Sequence, residues 1–156
     1  MLDDDMKRVV NEQRLGYVAS VCADGTPNLS PKGTLTVWDD EHLVFAHVHS
    51  AQTVANIDDV NPVVEINVVD PIRRKGYRFK GRAEVHRAGS TTYGDGAAFY
   101  RERSGLEAHR IQAIVVIRVE HAAPVISPAY DDGSTASDIE ARSLKLYGLR
   151  RAEPPT

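Results

Sequence analysis

Short runs of alternating apolar and polar residues fill most of this chain, a pattern that favours β-strands with one buried face. Turn residues separate the runs, and Asp24-Gly25 signals a hairpin because both positions tolerate positive φ. The last predicted strand is apolar enough to be buried on both of its faces. The predicted strands cover residues 15–21, 27–37, 43–48, 62–69, 77–86 and 111–119.

Helical spacing of apolar residues predicts three helices, over residues 3–13, 50–60 and 91–103. From about residue 134 we expect a loosely structured tail with a short helix, ending in Pro154-Pro155. Six or seven strands with few helices predict a single domain over residues 1–156, mainly β with flanking helices. We expect a small, closed or nearly closed antiparallel barrel, with a β-sandwich as the alternative.

Charge and cysteine usage narrow the choice of partners and compartment. The net charge is −3, and the 19 basic residues are interspersed with 22 acidic ones, which disfavours nucleic-acid binding. The single cysteine, Cys22, excludes an internal disulfide and fits a reducing cytosol. No apolar run has the length of a membrane span. We therefore expect a cytoplasmic protein with no nucleic-acid or membrane partner.

Two polar segments are the best candidates for a binding site: Ser30-Pro31-Lys32-Gly33-Thr34 on the second strand, and Ser50-Ala51-Gln52-Thr53 at a helix start. A helix N-terminus leaves N–H groups unpaired and attracts anions, so Ser50, Gln52 and Thr53 are candidates to cradle a phosphate. Lys32 would add a full positive charge. The alternatives are that Ser50 is a plain N-cap and that Lys32 is a solvated strand-edge lysine.

The chain lacks the motifs of a nucleophile elbow, a P-loop or a dinucleotide-binding glycine turn, and no catalytic residue is predicted. His47 and His49 are two apart and would face the same way on a strand, which leaves a metal site open as an alternative. No third ligand has a defined spacing to them, so we predict no metal. Trp38 and the Tyr77/Phe79 pair are interpreted as core or dimer-interface residues rather than a stacking platform.

The order of these segments resembles a known family. It runs from the Asp-Gly turn through Pro-Asn-Leu-Ser-Pro-Lys-Gly-Thr, Trp-Asp-Asp-Glu-His, Leu-Val-Phe-Ala and Ser-Ala-Gln-Thr-Val-Ala-Asn-Ile to Gly-Tyr-Arg-Phe-Lys-Gly-Arg-Ala-Glu-Val. This order is similar to that of the pyridoxamine 5′-phosphate oxidase-like, FMN-binding split β-barrel family, and most of all to its short bacterial members. The resemblance covers residues 5–125 and refines the expected fold to a small antiparallel split β-barrel.

What the resemblance implies is a homodimer that holds FMN between its subunits, with the first polar segment along the ring and the helix start at the phosphate. Backbone N–H groups of Gly33 and Thr34 would donate to the ring. Many relatives carry Arg or Lys where this chain has Ala51-Gln52, which removes a charge-assisted contact to the phosphate. The cofactor-binding residues implied in this way are Ser30, Pro31, Lys32, Gly33, Thr34, Ala46, His47, Ser50, Gln52 and Thr53.

Three functions remain open at this point. The first is an FMN-dependent oxidoreductase acting on a small molecule or a redox partner. The second is a reductase using 8-hydroxy-5-deazaflavin, whose polyglutamate tail would need a basic groove such as the connection around Arg73-Arg74-Lys75, expected to be mobile. The third is a non-catalytic module that binds flavin or haem. The doubly apolar strand 111–119 and the aromatic pair Tyr77 and Phe79, if exposed, favour a homodimer.

Overall fold

The computed structural model describes residues 1–151, which form seven strands and four α-helices. The strands are β1 (Gly16–Val21), β2 (Pro27–Lys32), β3 (Thr36–Val37), β4 (His42–His47), β5 (Val63–Asp70), β6 (Lys75–His86) and β7 (Ala113–Ile126). The helices are α1 (Asp4–Gln13), α2 (Ala51–Ala55), α3 (Thr91–Ser104) and α4 (Ala136–Tyr147).

All strand pairs are antiparallel, in the order β2-β1-β5-β6-β7-β4-β3. Strands β2 and β3 form opposite edges of the sheet, although only residues 33–35 separate them in sequence. The sheet must therefore curl until its two edges meet at this bend. The prediction of a mainly β split barrel with flanking helices is confirmed.

The curl produces two apolar layers. The larger core fills the concave side of the sheet and is closed by α1 and α2, with Phe45 and Phe79 fully buried in it. The smaller one lies between α3 and the convex side of β4 and β7, around Ile114 and Tyr100. Strand β7 contributes to both layers, which confirms its predicted burial on two faces. Trp38 and Tyr77 pack against these layers, so the core interpretation of the aromatic residues is confirmed.

Several element boundaries differ from the prediction. The expected strand 27–37 is interrupted at 33–35, because the bend transfers the chain from one sheet edge to the other. The expected helix 50–60 is α2 followed by a single π-turn, Asn56–Val60. The basic connection after β5 is a short turn, because β6 already begins at Lys75. The Asp70 carboxylate accepts N–H bonds from Ile72 and Arg73 at 2.8 and 3.0 Å.

The tail also differs from the expectation of a loose segment. Helix α4 is a three-turn helix with a complete capping box, in which the side chains of Thr135 and Asp138 accept each other's backbone N–H groups. It docks through Ile139 and Ser143, which are buried, and Glu140 pairs with Arg73 at 3.6 Å. Pro154-Pro155 lies outside the described residues.

Gly81 allows a close approach of β6 and β7 at an irregularity in their pairing. The register of the two strands shifts between Lys80 and Gly81, and a Cβ atom on Gly81 would lie 2.0 Å from the backbone oxygen of Arg118. Any side chain at this position must push the two longest strands apart.

We predict that Gly81→Ala lowers the free energy of unfolding by more than about 2 kcal/mol, because the added methyl group displaces backbone rather than a flexible side chain. Urea unfolding measures this. The matched control is Gly94→Ala on α3, where a Cβ meets nothing within 4 Å and should instead stabilise by up to about 1 kcal/mol. Equal unfolding midpoints for the two variants would show that β6 and β7 are less closely paired than described.

Candidate functional site

Two side chains fix the bend between β2 and β3, that of Thr34 to β4 and that of Tyr100 to α3. Thr34 Oγ1 accepts the backbone N–H of Ala46 at 3.1 Å and donates to the carbonyl of the same residue at 3.0 Å. The Tyr100 hydroxyl, from α3, donates to the Thr34 carbonyl at 2.9 Å. These bonds fix the bend, which connects the two sheet edges, against β4 and α3. We call this region, residues 30–34 with 46–53, the seam.

Lys32 lies inside the seam and is only 3% exposed. Its Nζ donates to Ser30 Oγ at 2.7 Å and to Thr53 Oγ1 at 3.3 Å, and it lies 5.2 Å from the centre of the Phe45 ring. The interpretation of Lys32 as a solvated strand-edge lysine is therefore wrong. None of the ion pairs in residues 1–151 includes it.

Burial without a carboxylate partner has an electrostatic consequence. Loss of hydrating water disfavours the ammonium form and lowers the pKa of Lys32 from its ordinary 10.5 to about 8. At neutral pH the side chain still carries its charge, held by two hydroxyl oxygens and an aromatic face. Such a charge is costly to bury, and an anion near it would recover part of that cost.

The start of α2 lies directly above this lysine. Ser50 occupies the N-cap position, but its side chain makes no capping bond, so it is not a plain N-cap. Its backbone N–H donates instead to His47 Nδ1 at 3.2 Å. The first-turn N–H groups of α2 are therefore left without a side-chain acceptor, which is the arrangement that binds anions.

The side chains of Gln52 and Thr53 are already engaged. Thr53 is 1% exposed, and its Oγ1 accepts from Lys32 and also from Asn28 Nδ2, the latter at 3.2 Å. Gln52 Nε2 donates to Asn56 Oδ1 at 2.7 Å. The backbone N–H groups of these two residues have no intramolecular acceptor within residues 1–151, whereas Gln52 Nε2 and Thr53 Oγ1 are engaged. Their side chains instead orient the lysine and the helix.

A buried polar cluster beneath α2 was missed at the sequence level. Asn28 and Asn56 both donate to Ser20 Oγ, at 3.1 and 3.0 Å, and Asn56 lies 3.5 Å from Cys22 Sγ. The cluster continues the row Asn28, Ser30, Lys32, whose side chains all point to the concave side of β2 while Leu29 and Pro31 point outward. This inverted alternation, polar inside and apolar outside, was the available signal.

His47 is the other buried titratable group of the seam. Burial is the main cause that lowers its pKa, and the nearby positive charges of Lys32 and Arg87 act in the same direction. Because Nδ1 accepts the Ser50 N–H, the ring hydrogen of neutral His47 lies on Nε2. Strand β4 ends at His47, so the premise that His49 shares its strand face is wrong. Among residues 1–151 no three His, Cys, Asp or Glu side chains form a metal-binding group.

The remaining predicted residues lie on the other side of the seam. Ala46 is buried against α3, while Pro31 and Gly33 are exposed on the outer surface. A Cβ on Gly33 would meet nothing within 4 Å, so the space beside the bend is open. The structure thus places Ser30, Lys32, Thr53 and the start of α2 together. It places Pro31, Gly33 and Thr34 on a different side of the bend, away from that group.

A cleft of about 280 Å³ opens beside Gly33 and Thr34, at the junction of α1, the bend and α3. Three arginines line it, no acidic residue does, and none of the three forms an ion pair within the described chain. We call it the arginine cleft. Its lining comprises Arg14, Gly33, Thr34, Leu35, Thr36, Tyr100, Arg103, Ser104, Gly105, Leu106 and Arg110. Arg14 is far in sequence from Arg103 and Arg110, and no local pattern predicts that it converges with them.

The family profile described as Pyridoxamine 5′-phosphate oxidase matches residues 2–123 of the chain. The chain therefore belongs to the pyridoxamine 5′-phosphate oxidase-like family, as its segment order indicated. No protein with a curated description matches it. Of the helices in residues 1–151, none combines the length and the apolar character that crossing a membrane requires.

Solved structures of other proteins share this fold. HupZ from Group A Streptococcus is 35% identical over 81% of this chain and 96% of its own, with a TM-score of 0.70. HutZ, the heme storage protein from Vibrio cholerae, is 22% identical over 78% and 93%, with a TM-score of 0.61. An FMN-binding protein from Syntrophomonas wolfei is 13% identical over 80% and 86%, with a TM-score of 0.64. The last two likenesses establish the fold alone.

The depressed pKa of Lys32 predicts a specific pH dependence of stability. Because its pKa is lower in the folded than in the unfolded chain, the unfolded chain binds more protons between about pH 8 and 10.5. Folding stability should therefore rise with pH across that window. Lys32→Met, which keeps the volume and removes the charge, should lack this rise and be at least as stable as the wild type at pH 7.

Chemical unfolding at a series of pH values measures this effect, with the exposed Lys75→Met variant as the control of equal charge change. Stability curves for Lys32→Met and Lys75→Met that run parallel to the wild type would mean that Lys32 is solvated.

Proposed function

We propose that this protein is a cytoplasmic flavoprotein, a homodimeric oxidoreductase that binds FMN at the seam. The observation that carries the proposal is the buried, carboxylate-free Lys32 beneath the uncapped start of α2. A charge without a counter-ion and a set of N–H groups without acceptors meet at one place. A phosphate dianion is the chemical group that satisfies both.

Lys32 also accounts for a departure from the family pattern. The family resemblance implies Arg or Lys at the helix start of many relatives, where this chain has Ala51-Gln52. In our proposal the buried ammonium group of Lys32, which bonds to the Thr53 side chain, replaces the missing surface charge and attracts the phosphate over a longer distance. In the low dielectric of the seam an interior charge is screened less than a surface one. The first-turn N–H groups and the Ser50 hydroxyl would make the direct contacts to the phosphate.

The bend would carry the flavin ring. Strand β2 is a sheet edge, so part of its backbone N–H and C=O groups has no strand partner. Gly33 leaves the adjacent space open, and the Thr34 and Tyr100 bonds fix the position of the bend. When bound there, FMN supplies the redox chemistry by accepting or giving a hydride, so the protein needs no nucleophile of its own.

The arginine cleft begins at the same two residues of the bend, Gly33 and Thr34. Guanidinium groups prefer carboxylates and phosphates, to which they donate two parallel hydrogen bonds. We therefore propose that the reducible or oxidisable substrate is a small anionic molecule, which would enter through this cleft beside the ring.

The two alternative cofactors find less support. A haem iron needs an unprotonated imidazole nitrogen, and in His47 the Nδ1 atom is used by the Ser50 N–H while Nε2 carries the hydrogen. This weighs against His47 as an iron ligand, although HutZ, a distant structural relative, is named as a heme storage protein. For a deazaflavin tail, Arg73 is already paired with Asp70 at 3.2 Å and with Glu140 at 3.6 Å.

A homodimer would cover the apolar outer face of β1 and β2. Tyr17 lies opposite Pro31, and Ala19 lies opposite Leu29, so their side chains share one surface of the sheet. Tyr17 is 45% exposed and Leu29 is 64% exposed. Apolar faces of this kind mark association surfaces in soluble proteins, and this face adjoins the bend. The aromatic residue Phe79, which we expected to support dimerisation, is fully buried and does not contribute.

The function is tested by the absorption spectrum of the protein as purified and by mass spectrometry of the ligand released on denaturation. We predict a yellow protein that releases FMN, and an apoprotein that binds FMN at least tenfold more tightly than riboflavin, or by about 1.4 kcal/mol. A Soret band, a released deazaflavin, or equal affinity for FMN and riboflavin would contradict the proposal.

The matched variants in this titration are two N-cap serines. Ser50→Ala should narrow the preference for FMN over riboflavin by about 1 kcal/mol without loss of stability, since its side chain caps nothing. Ser90→Ala, which removes the hydroxyl that accepts the Tyr93 N–H, should destabilise α3 by about 1 kcal/mol and leave the preference unchanged.

The proposed dimer predicts a molar mass in light scattering of twice the chain mass of 17.2 kDa. Leu29→Lys places a charge on the proposed interface and should shift the mass to that of one chain. Leu146→Lys, on α4, is the control, because Leu146 is 79% exposed and lies outside the proposed interface. A wild type that remains a single chain at micromolar concentration would exclude the dimer.

A further inference from the structure

Arg14 adopts a backbone conformation that favours glycine. It follows α1 with φ 53° and ψ 14°, in the left-handed region, and its N–H donates to the Val10 carbonyl at 3.2 Å. Glycine is the usual residue at such a helix end, because a Cβ atom costs energy there. Within the described chain, Arg74 is the other residue besides glycine with positive φ, at 54°.

Arg14 also belongs to the candidate substrate site. It lines the arginine cleft together with Arg103 and Arg110. Asn11, three residues earlier in the chain, accepts from Arg103 Nη2 at 3.1 Å and from the Thr36 hydroxyl at 2.8 Å. The end of α1 therefore supplies one lining residue of the cleft, Arg14, and a hydrogen-bond acceptor for another, Arg103.

We propose that Arg14 is a specificity-determining residue of the substrate site, selecting an oxyanion, and that its strained backbone persists because its guanidinium is needed there. Strained positions kept by a protein are enriched at functional sites. This inference rests on the proposed function in that the cleft is taken as the substrate site. It identifies Arg14 as the residue that selects the anion, and it explains why the end of α1 carries arginine instead of glycine.

The inference predicts opposite signs for stability and for binding in one variant. Arg14→Gly should raise the melting temperature by about 2 °C, because it relieves the left-handed strain. The same change should weaken oxyanion binding about tenfold, the scale of one charge-assisted bidentate contact. Arg74→Gly is the matched control: it should raise the melting temperature similarly and leave oxyanion binding unchanged.

Isothermal calorimetry with inorganic phosphate and with acetate measures the binding on FMN-saturated protein, in which the proposed phosphate site is filled. Tighter binding of one probe identifies whether the substrate's anionic group is a phosphate or a carboxylate. Arg103→Ala should lose affinity as Arg14→Gly does. Arg101→Ala, on the same helix but outside the lining of the cleft, should not.

The role of Arg14, the role of the cleft and the binding of FMN are contradicted by different results. If Arg103→Ala weakens binding and Arg14→Gly does not, the inference about Arg14 is wrong and the cleft remains a substrate site. If neither variant weakens binding, or neither probe binds, the inference and the cleft as an anionic substrate site both fail. If the protein does not take up FMN, the proposed function fails, and the same titrations on the protein as purified still decide the role of Arg14.

Discussion

A buried ammonium group without a carboxylate partner is the constraint around which the seam is organised. Lys32 reaches the interior because β2 turns its polar residues inward, and it stays there because Ser30, Thr53 and the Phe45 ring surround Nζ. Two neutral hydroxyl oxygens and an aromatic face stabilise the ammonium group less than water does. The pKa of Lys32 is therefore lowered. A site that lacks one negative charge is favourable for an anion.

The bend at residues 33–35 brings the other parts of the site to this charge. It transfers the chain between the two edges of the sheet, so one short segment connects β2 to β3 and also forms part of the wall of the arginine cleft. Thr34 fixes it to Ala46 on β4, and Tyr100 fixes it to α3. The segment that closes the barrel is therefore also the segment that forms the candidate site.

The sequence predicted the strands, the main helices and the family, because these follow from local periodicity and segment order. It predicted that Lys32 and the start of α2 belong together, but not that Lys32 is buried or that Ser50 leaves the helix uncapped. Burial depends on the inward orientation of Asn28, Ser30 and Lys32, which only the register with β1 fixes. The arginine cleft was beyond local reasoning, since Arg14 and Arg103 meet only through the curl of the whole sheet.

The most direct test of the central claim is the pKa of Lys32 itself, followed by NMR of its ε-carbon and ζ-nitrogen in the apoprotein and in the presence of FMN or riboflavin. The account predicts a pKa of about 8 in the apoprotein, a rise toward or above the ordinary 10.5 with FMN, and little change with riboflavin, which lacks the phosphate. A Lys32 pKa that does not respond to FMN, or responds equally to both ligands, would contradict the claim that this lysine is the counter-charge of the cofactor phosphate.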